Sequence, residues 1–297
     1  MNERVHPIGN VALIDKIDSE TGFFKTVFEP VMGKARTFIP SVKLLMNNKL
    51  GPSVSINRIL DFAPVEFQEI IGFNDNISER TLYRNLERCG ERYPLILEQY
   101  QQWTQEQKLI DPTQFVDFSS TYFEGTKCQL GKPGYSRDNQ PGKLQITFGI
   151  SVGLNNIPTM LTIQKGNVQD KTHMKSMIRL CSKILPNDSL LVFDNGGNTK
   201  ANKKAIRDKN LQYLTRKAKK KGPYRKAIQI FRNGPQVKIT SNDEEYRCVK
   251  VSDGDEYQYI FFSKSRESEQ LVKKNKQFKK ELEEGSKILI VSKNRLR

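Results

Sequence analysis

Apolar residues recur three and four positions apart through the first part of the chain, which is the spacing of amphipathic α-helices. The segments FIPSVKLLMNNKLG and SVSINRILDF show this spacing, and a Gly-Pro pair separates them. Ser78 stands where a helix N-cap is expected, and Pro94 should interrupt the helical pattern that follows it. We therefore predict a mainly α-helical N-terminal domain over residues 1–110.

Part of this helical region resembles a helix-turn-helix. The segment APVEFQEIIGF predicts a short helix, NDNIS predicts a polar turn, and ERTLYRNLERC predicts a second helix. Arg80 and Arg84 would lie in the first turns of the second helix, where such motifs contact the DNA groove. Two helices joined by a turn also occur in bundles that bind no DNA, so both interpretations stay open.

The pattern changes at Pro112, where short apolar and β-branched runs begin. QFVDFSSTYFEG, LQITFGISVGL and PTMLTIQKG predict three strands, and KTHMKSMIRLCSKIL predicts a helix. DSLLVFD and LQYLTRKA predict two more strands, with the helix TKANKKAIRDKN between them. The order β-β-β-α-β-α-β is that of a ribonuclease H-like fold, and we assign residues 111–297 to such an α/β catalytic domain.

From about residue 224 the alternation becomes looser, and we predict a β-rich insertion over about 224–290. AIQIF, QVKIT, EYRCVKVS and EYQYIFFS predict four antiparallel strands, with turns at Asn233-Gly234 and Asp253-Gly254. A charged segment, SRESEQLVKKNKQFKKELEEG, then predicts a helix.

Charge narrows the class of partner. The 297 residues carry 49 Lys and Arg against 33 Asp and Glu, a net charge of +16. Such an excess favours a polyanionic partner, most often nucleic acid. The alternative is a basic but otherwise ordinary enzyme that binds no polyanion. The four cysteines are scattered without a CxxC pair, which argues against zinc and disulfides. With no apolar run of about 18 residues, we expect a soluble cytoplasmic protein and no membrane partner.

Two acids stand inside apolar strand segments, Asp117 in VDF and Asp194 in VFD, 77 residues apart. In the predicted topology they fall on the first and fourth strands, which are adjacent and parallel, and each would end its strand. Two close carboxylates repel unless a cation lies between them. Mg²⁺ suits such a pair, and two such ions can cleave a phosphodiester in line. For either acid alone, a surface or strand-end role is the alternative.

A dense basic segment follows the second acid. Residues 195–232 contain thirteen Lys or Arg and a single acid, Asp208. We interpret the segment as a track for DNA phosphates, although the RKAKKKGPYRK stretch could also be a nuclear-localisation-like patch. The residues assigned to DNA contact here are Lys200, Lys203, Lys204, Arg216, Lys217, Lys219, Lys220 and Lys221.

The motifs together resemble an insertion-sequence DDE transposase, in the branch whose third acid lies in a Tyr-Arg-Glu-Lys signature. The resemblance runs from VDFSSTYFEG through GYSRDNQPGKLQITFGISVGLNNIPTMLTIQKGNVQDKTHM to LLVFDNGGNTKAN and LQYLTRKAKK. It implies that Asp117 and Asp194 are the first two catalytic acids, holding Mg²⁺ or Mn²⁺ as a two-ion site. It also implies a nucleoid-associated homodimer that cuts the terminal repeats of an element and joins them to target DNA. Residues 1–110 would then bind the element ends.

The third acid of the resemblance is missing. No tyrosine from Tyr213 onward is followed by both the arginine and the glutamate of the signature, and Glu267 and Glu269 lack its surroundings. We expect a C-terminally truncated transposase with weak or absent strand transfer. A non-catalytic DNA-binding remnant that inhibits an intact copy, and a ribonuclease H-like nuclease without a role in transposition, stay open as alternatives.

Overall fold

The protein is represented by a computed structural model, which describes residues 8–34, 36–74, 76–135, 139–217 and 221–291. The chain divides into two compact units, Met1–Lys217 and Ala218–Arg297. The first unit contains both the predicted helical region and the predicted α/β region, so the domain boundary expected at residue 110 stays a prediction.

The first unit opens with helices, as the apolar spacing predicts. They are α1 Gly9–Thr21, α2 Phe23–Met32, α3 Phe38–Leu50, a 3₁₀ helix Ile56–Phe62, α4 Val65–Ile71, α5 Glu79–Glu91 and α6 Tyr93–Glu106. Ser78 caps α5 by accepting a hydrogen bond from the Thr81 backbone N–H at 3.3 Å. The expected interruption near Pro94 is also confirmed. The helix is interrupted at Arg92, and Pro94 lies in the first turn of the next helix, α6.

Helix α6 joins the helical region to the sheet that follows. The Tyr93 hydroxyl donates to the Leu161 carbonyl, and the Tyr100 hydroxyl donates to the Pro158 carbonyl at 2.5 Å. The Trp103 indole of the same helix packs into a buried aromatic cluster with Phe24, Phe28 and Phe38. These contacts explain why the helices and the sheet belong to one compact unit.

The sheet of the first unit has five strands in the order β3-β2-β1-β4-β5. Its elements are β1 Thr113–Phe123, β2 Leu144–Gly153, β3 Pro158–Lys165, α7 Asp170–Ile184, β4 Leu190–Phe193, α8 Lys200–Arg207 and β5 Gln212–Thr215. Strands β1, β2 and β3 form an antiparallel meander, while β4 pairs parallel with both β1 and β5. The expected element order and the adjacency of the first and fourth strands are confirmed.

One face of this sheet is closely packed. Val116 and Phe118 of β1 lie on it in a buried cluster with Met174 and Met177 of α7 and with Leu191 of β4. Along β2 every second residue is buried and the residues between are only half-buried. The alternation fixes which side chains point towards α7, and therefore which ones point to the opposite face.

The second unit contains α9 Lys221–Asn233, β6 Val237–Ser241, β7 Glu244–Asp253, β8 Glu256–Ser263 and α10 Lys264–Val291. The three strands form an antiparallel sheet in the order β6-β7-β8. The turn predicted at Asp253-Gly254 is confirmed, with Gly254 in the left-handed conformation (φ 62°) that glycine accommodates readily. In the described part of the chain, no helix has both the length and the apolar character needed to cross a bilayer.

The first of the four strands predicted in this region is wrong, because AIQIF lies within α9. From this helix the Phe231 ring stacks on Phe262 of β8 with ring centroids 5.7 Å apart. The helix ends where the Gly234 backbone N–H donates to the Ile230 carbonyl at 2.8 Å. Asn233-Gly234 is therefore a helix end rather than a hairpin turn.

Candidate functional site

Asp117 and Asp194 are next to each other on adjacent parallel strands. The register between β1 and β4 pairs Val116 with Phe193, and the following residue on each strand is the aspartate. Neighbouring strands lie about 4.8 Å apart. Val116 and Phe193 are buried, Asp117 lies on the other face of β1 by the alternation of the strand, and both aspartates are exposed.

The position of Asp117 differs from the expectation that it ends its strand. It lies in the middle of β1, which continues to Phe123 because β2 pairs with it as far as Leu144. The pairing of β1 with β4 ends at Val116 and Phe193, so Asp117 is the first residue of β1 beyond its parallel partner. Asp194 does follow the end of β4, as the sequence indicates.

A backbone N–H orients each carboxylate. Asp117 Oδ1 accepts from the Phe118 N–H at 2.8 Å, and Asp194 Oδ1 accepts from the Gly196 N–H at 2.7 Å. The second bond makes Asp194 the N-cap of a short 3₁₀ turn, Asn195–Gly197. The carboxylates are thus held by the main chain that follows them.

A third carboxylate, missed by the sequence analysis as a site residue, lies beside this turn. A Cβ on Gly196 would be 2.6 Å from Asp170 Oδ2 and 3.1 Å from Asp194 Oδ1. These two oxygens are therefore no more than 5.7 Å apart, the sum of those distances. The available signal was the GNVQD stretch, which ends on Asp170, the first residue of α7.

His173, one turn further along α7, is a second residue that the sequence did not single out. It is 1 % exposed, and its ring lies 4.8 Å from the Phe118 ring, centroid to centroid. Neither ring nitrogen has a hydrogen-bond partner within the described residues. Burial without such a partner lowers the pKa of His173 to about 4, so the imidazole is neutral at pH 7. It supports the buried side of the strand that carries Asp117.

The donor set suits a hard divalent cation. Asp117 and Asp194 offer only oxygen atoms, and Mg²⁺ is commonly held by one or two carboxylates together with water and phosphate. Within the described ranges, no three His, Cys, Asp or Glu side chains form a ready group for a metal. Glu267 and Glu269 lie exposed on α10, in the second unit.

Several predicted DNA-contacting residues lie near the end of β4 that carries Asp194. Arg216 and Lys217 are exposed directly after β5, the parallel neighbour of β4, and Asn198 Nδ2 donates to the Arg216 carbonyl at 2.9 Å. The turn after Asp194 is therefore bonded to the start of this basic segment.

The remaining basic residues differ in their surroundings. Lys200, Lys203 and Lys204 belong to α8, where Lys203 Nζ lies 5.6 Å from the centroid of the Tyr213 ring. Lys204 pairs with Asp208 at 2.9 Å. In the second unit Lys221 begins α9, whereas Lys219 and Lys220 lie outside the described residues.

Arg80 and Arg84 lie on α5, in the helical region, and not in the sheet that carries the aspartates. Both are exposed, and so is Tyr83 between them, while Leu82 and Asn85 on the other side of the helix are buried. The helix thus presents its arginines to solvent, as a DNA-contacting helix would.

Two transposases are among the solved structures that resemble this chain. No protein-family model matches the sequence, and no curated protein is significantly similar to it. A cryo-EM structure of the piggyBac transposase synaptic complex with hairpin DNA is 14 % identical, with a TM-score of 0.42 over 88 % of this chain and 61 % of that chain. The Mos1 transposase paired-end complex with the left transposon end is 12 % identical, with a TM-score of 0.26 over 59 % and 57 %. The chain thus spans about three fifths of the length of either transposase.

Proposed function

We propose that this chain is a DNA transposase-like enzyme, which binds double-stranded DNA and cleaves it at a metal-dependent site built on Asp117 and Asp194. The observation that supports the proposal is the parallel register of β1 and β4, in which the residues before Asp117 and Asp194 are paired. An exposed like-charged pair repels in the absence of a cation, so its presence favours a cation-binding role.

We also propose that the five-stranded sheet is a ribonuclease H-like fold. The strand order β3-β2-β1-β4-β5, with only β2 antiparallel to the rest, supports this assignment. In such a fold the acids of the first and fourth strands meet at one place, and Asp117 and Asp194 have this relationship. The insertion-sequence branch with its two-ion site belongs to the same proposal and rests on the sequence motifs.

Asp117 and Asp194 would hold Mg²⁺ or Mn²⁺, with Phe118 and Gly196 fixing their orientation through backbone N–H groups. A metal ion held there would supply Lewis-acid chemistry for in-line cleavage of a phosphodiester. Arg216 and Lys217 would hold the DNA backbone near this position, since each phosphate contact of a basic side chain releases counterions. Element ends and target DNA would be the substrates, bound by a homodimer.

A second candidate function is DNA binding without catalysis. The observation that favours it is that no three His, Cys, Asp or Glu side chains are grouped as metal ligands within the described residues, although Asp170 lies near Asp194. Such a protein would occupy the element ends that an intact transposase needs, and would thereby inhibit that transposase. The basic residues serve this function equally well, so DNA binding alone does not separate the two candidates.

The deciding experiment is nicking of supercoiled plasmid in Mn²⁺ by the wild type, Asp117→Asn and Asp194→Asn, with Asp61→Asn as an exposed control on the 3₁₀ helix Ile56–Phe62. We expect nicking by the wild type and the control, and none by the two site variants. Without metal, the site variants should keep or raise the melting temperature, because the amide relieves repulsion. Nicking that survives both substitutions would show that the site is wrong. DNA binding without any nicking would support the second candidate.

A further inference from the structure

Three side-chain hydrogen bonds hold the main chain around Asp194. Thr215 Oγ1 of β5 donates to the Asp194 carbonyl at 3.0 Å. Asn198 Nδ2 donates to the Arg216 carbonyl, also across to the β5 side. Asn202 Nδ2 of α8 donates to the Gly197 carbonyl at 2.9 Å, at the end of the turn that Asp194 caps. These bonds fix the position of a turn that would otherwise be a short exposed loop.

Asn202 holds more than the turn. Its Nδ2 also donates to the Lys171 carbonyl at 2.9 Å, in the first turn of α7. One amide group therefore ties α8, the Asp194 turn and the helix that begins with Asp170. The two accepting carbonyls belong to Lys171 and Gly197, which directly follow Asp170 and Gly196. A Cβ on Gly196 would lie only 2.6 Å from Asp170 Oδ2.

The surroundings of Asn202 are unfavourable for stability alone. The side chain is 1 % exposed, and its Oδ1 has no hydrogen-bond partner within the described part of the chain. An unsatisfied buried amide oxygen offsets part of the stability that the two Nδ2 hydrogen bonds contribute. The amide is thus better explained by what its Nδ2 positions than by a gain in stability.

We propose that Asn202 is a positioning residue for the metal site, which sets the Asp194 carboxylate against Asp117 by fixing the Asn195–Gly197 turn. Thr215 supports the main chain of Asp194 from β5. The inference rests on the proposed function, because it assumes that Asp194 binds a divalent cation. Residues that orient metal ligands change metal affinity about 10- to 100-fold when they are replaced.

The test measures Mn²⁺ affinity of the full chain by titration calorimetry for the wild type, Asn202→Leu and Asn85→Leu. Asn85 is a matched control, a 4 % exposed asparagine whose Nδ2 donates to Ser41 Oγ at 2.9 Å within the helical region. Both variants should unfold at a lower temperature. Only Asn202→Leu should weaken Mn²⁺ binding, by about 10-fold or more.

Thr215→Val is the second variant, because it keeps the β-branched shape and removes only the bond to the Asp194 carbonyl. Thr215→Val tests the positioning role if Asn202→Leu does not fold. We expect Thr215→Val to lose Mn²⁺ affinity several-fold. Unchanged affinity in the folded variants would overturn the positioning role. If Mn²⁺ binds the wild type and Asp194→Asn equally, the proposed metal site itself is wrong, which is a different outcome.

Discussion

The Phe118 ring occupies the space that a side chain on Gly149 would fill. The two residues are cross-strand partners of β1 and β2, and a Cβ on Gly149 would lie 2.6 Å from two carbons of the ring. It would also lie 2.8 Å from Thr162 Oγ1 on β3. Since Phe118 directly follows Asp117 and orients its carboxylate, this close approach helps to build the candidate site.

Gly149→Ala should therefore destabilise the first unit. The added methyl group must displace the Phe118 ring within a closely packed core, and overpacking of this kind lowers stability by about 1–3 kcal/mol. Urea denaturation measures the effect. Gly90→Ala is the matched control, because a Cβ there meets nothing within 4 Å in helix α5, and it should raise stability by up to about 1 kcal/mol. Equal behaviour of the two variants would contradict the packing argument.

His173 should make the stability of the fold depend on pH. Burial lowers its pKa to about 4, whereas the unfolded chain binds the proton near pH 6.5. Between these values the unfolded state carries more protons, so stability falls as the pH falls from about 6.5 to about 4. The slope from this group is at most about 1.4 kcal/mol per pH unit.

Denaturation midpoints at several pH values in that window give the measurement. His173→Phe keeps an aromatic ring against Phe118 and removes the titrating group, so the His173 part of the slope should vanish. His6→Gln, at the only other histidine, serves as the control and should keep the pH dependence that comes from His173. A wild-type slope that persists in His173→Phe would assign the pH dependence to other groups.

The five-stranded sheet could be predicted from the sequence because each of its strands alternates or ends with a clear local signal. The N-cap at Ser78 and the helix interruption near Pro94 could be predicted for the same reason, because capping and the missing proline N–H act within a few residues. The second unit was harder. AIQIF has a strand-like composition, but it lies within α9, where Phe231 stacks on Phe262 of β8.

The site was predictable only in part. The VDF and VFD segments identified Asp117 and Asp194, but the length of β1 depends on its partner β2, which no local pattern reveals. Asp170 and Asn202 reach the site through helix packing, and their own segments look like ordinary helix starts. Contacts between distant elements therefore account for most of what the sequence missed.

The basic residues after β5 should determine how strongly salt weakens DNA binding. Each phosphate contact contributes about 0.9 to the slope of log affinity against log salt. Replacing Arg216 and Lys217 together by alanine should lower that slope by about two, as measured by fluorescence anisotropy on a short duplex at several salt concentrations. Lys16→Ala, at an exposed lysine paired with Glu20, should leave the slope unchanged. A slope that the double variant does not change would remove this segment from the DNA contact.

Gly196→Ala should separate metal affinity from stability. The new methyl group would lie 2.6 Å from Asp170 Oδ2 and 3.1 Å from Asp194 Oδ1, so both carboxylates must turn away. The closest clash is with a carboxylate oxygen, but Asp170 is half-buried and its Cβ would also lie 3.1 Å from the new methyl group. The free energy of unfolding should therefore fall by no more than about 1 kcal/mol. The Mn²⁺ affinity should fall about 10-fold, since Asp194 loses its orientation. Gly125→Ala, where a Cβ meets nothing within 4 Å, is the control. Wild-type affinity in a folded Gly196→Ala protein would show that the orientation of Asp194 does not determine metal binding.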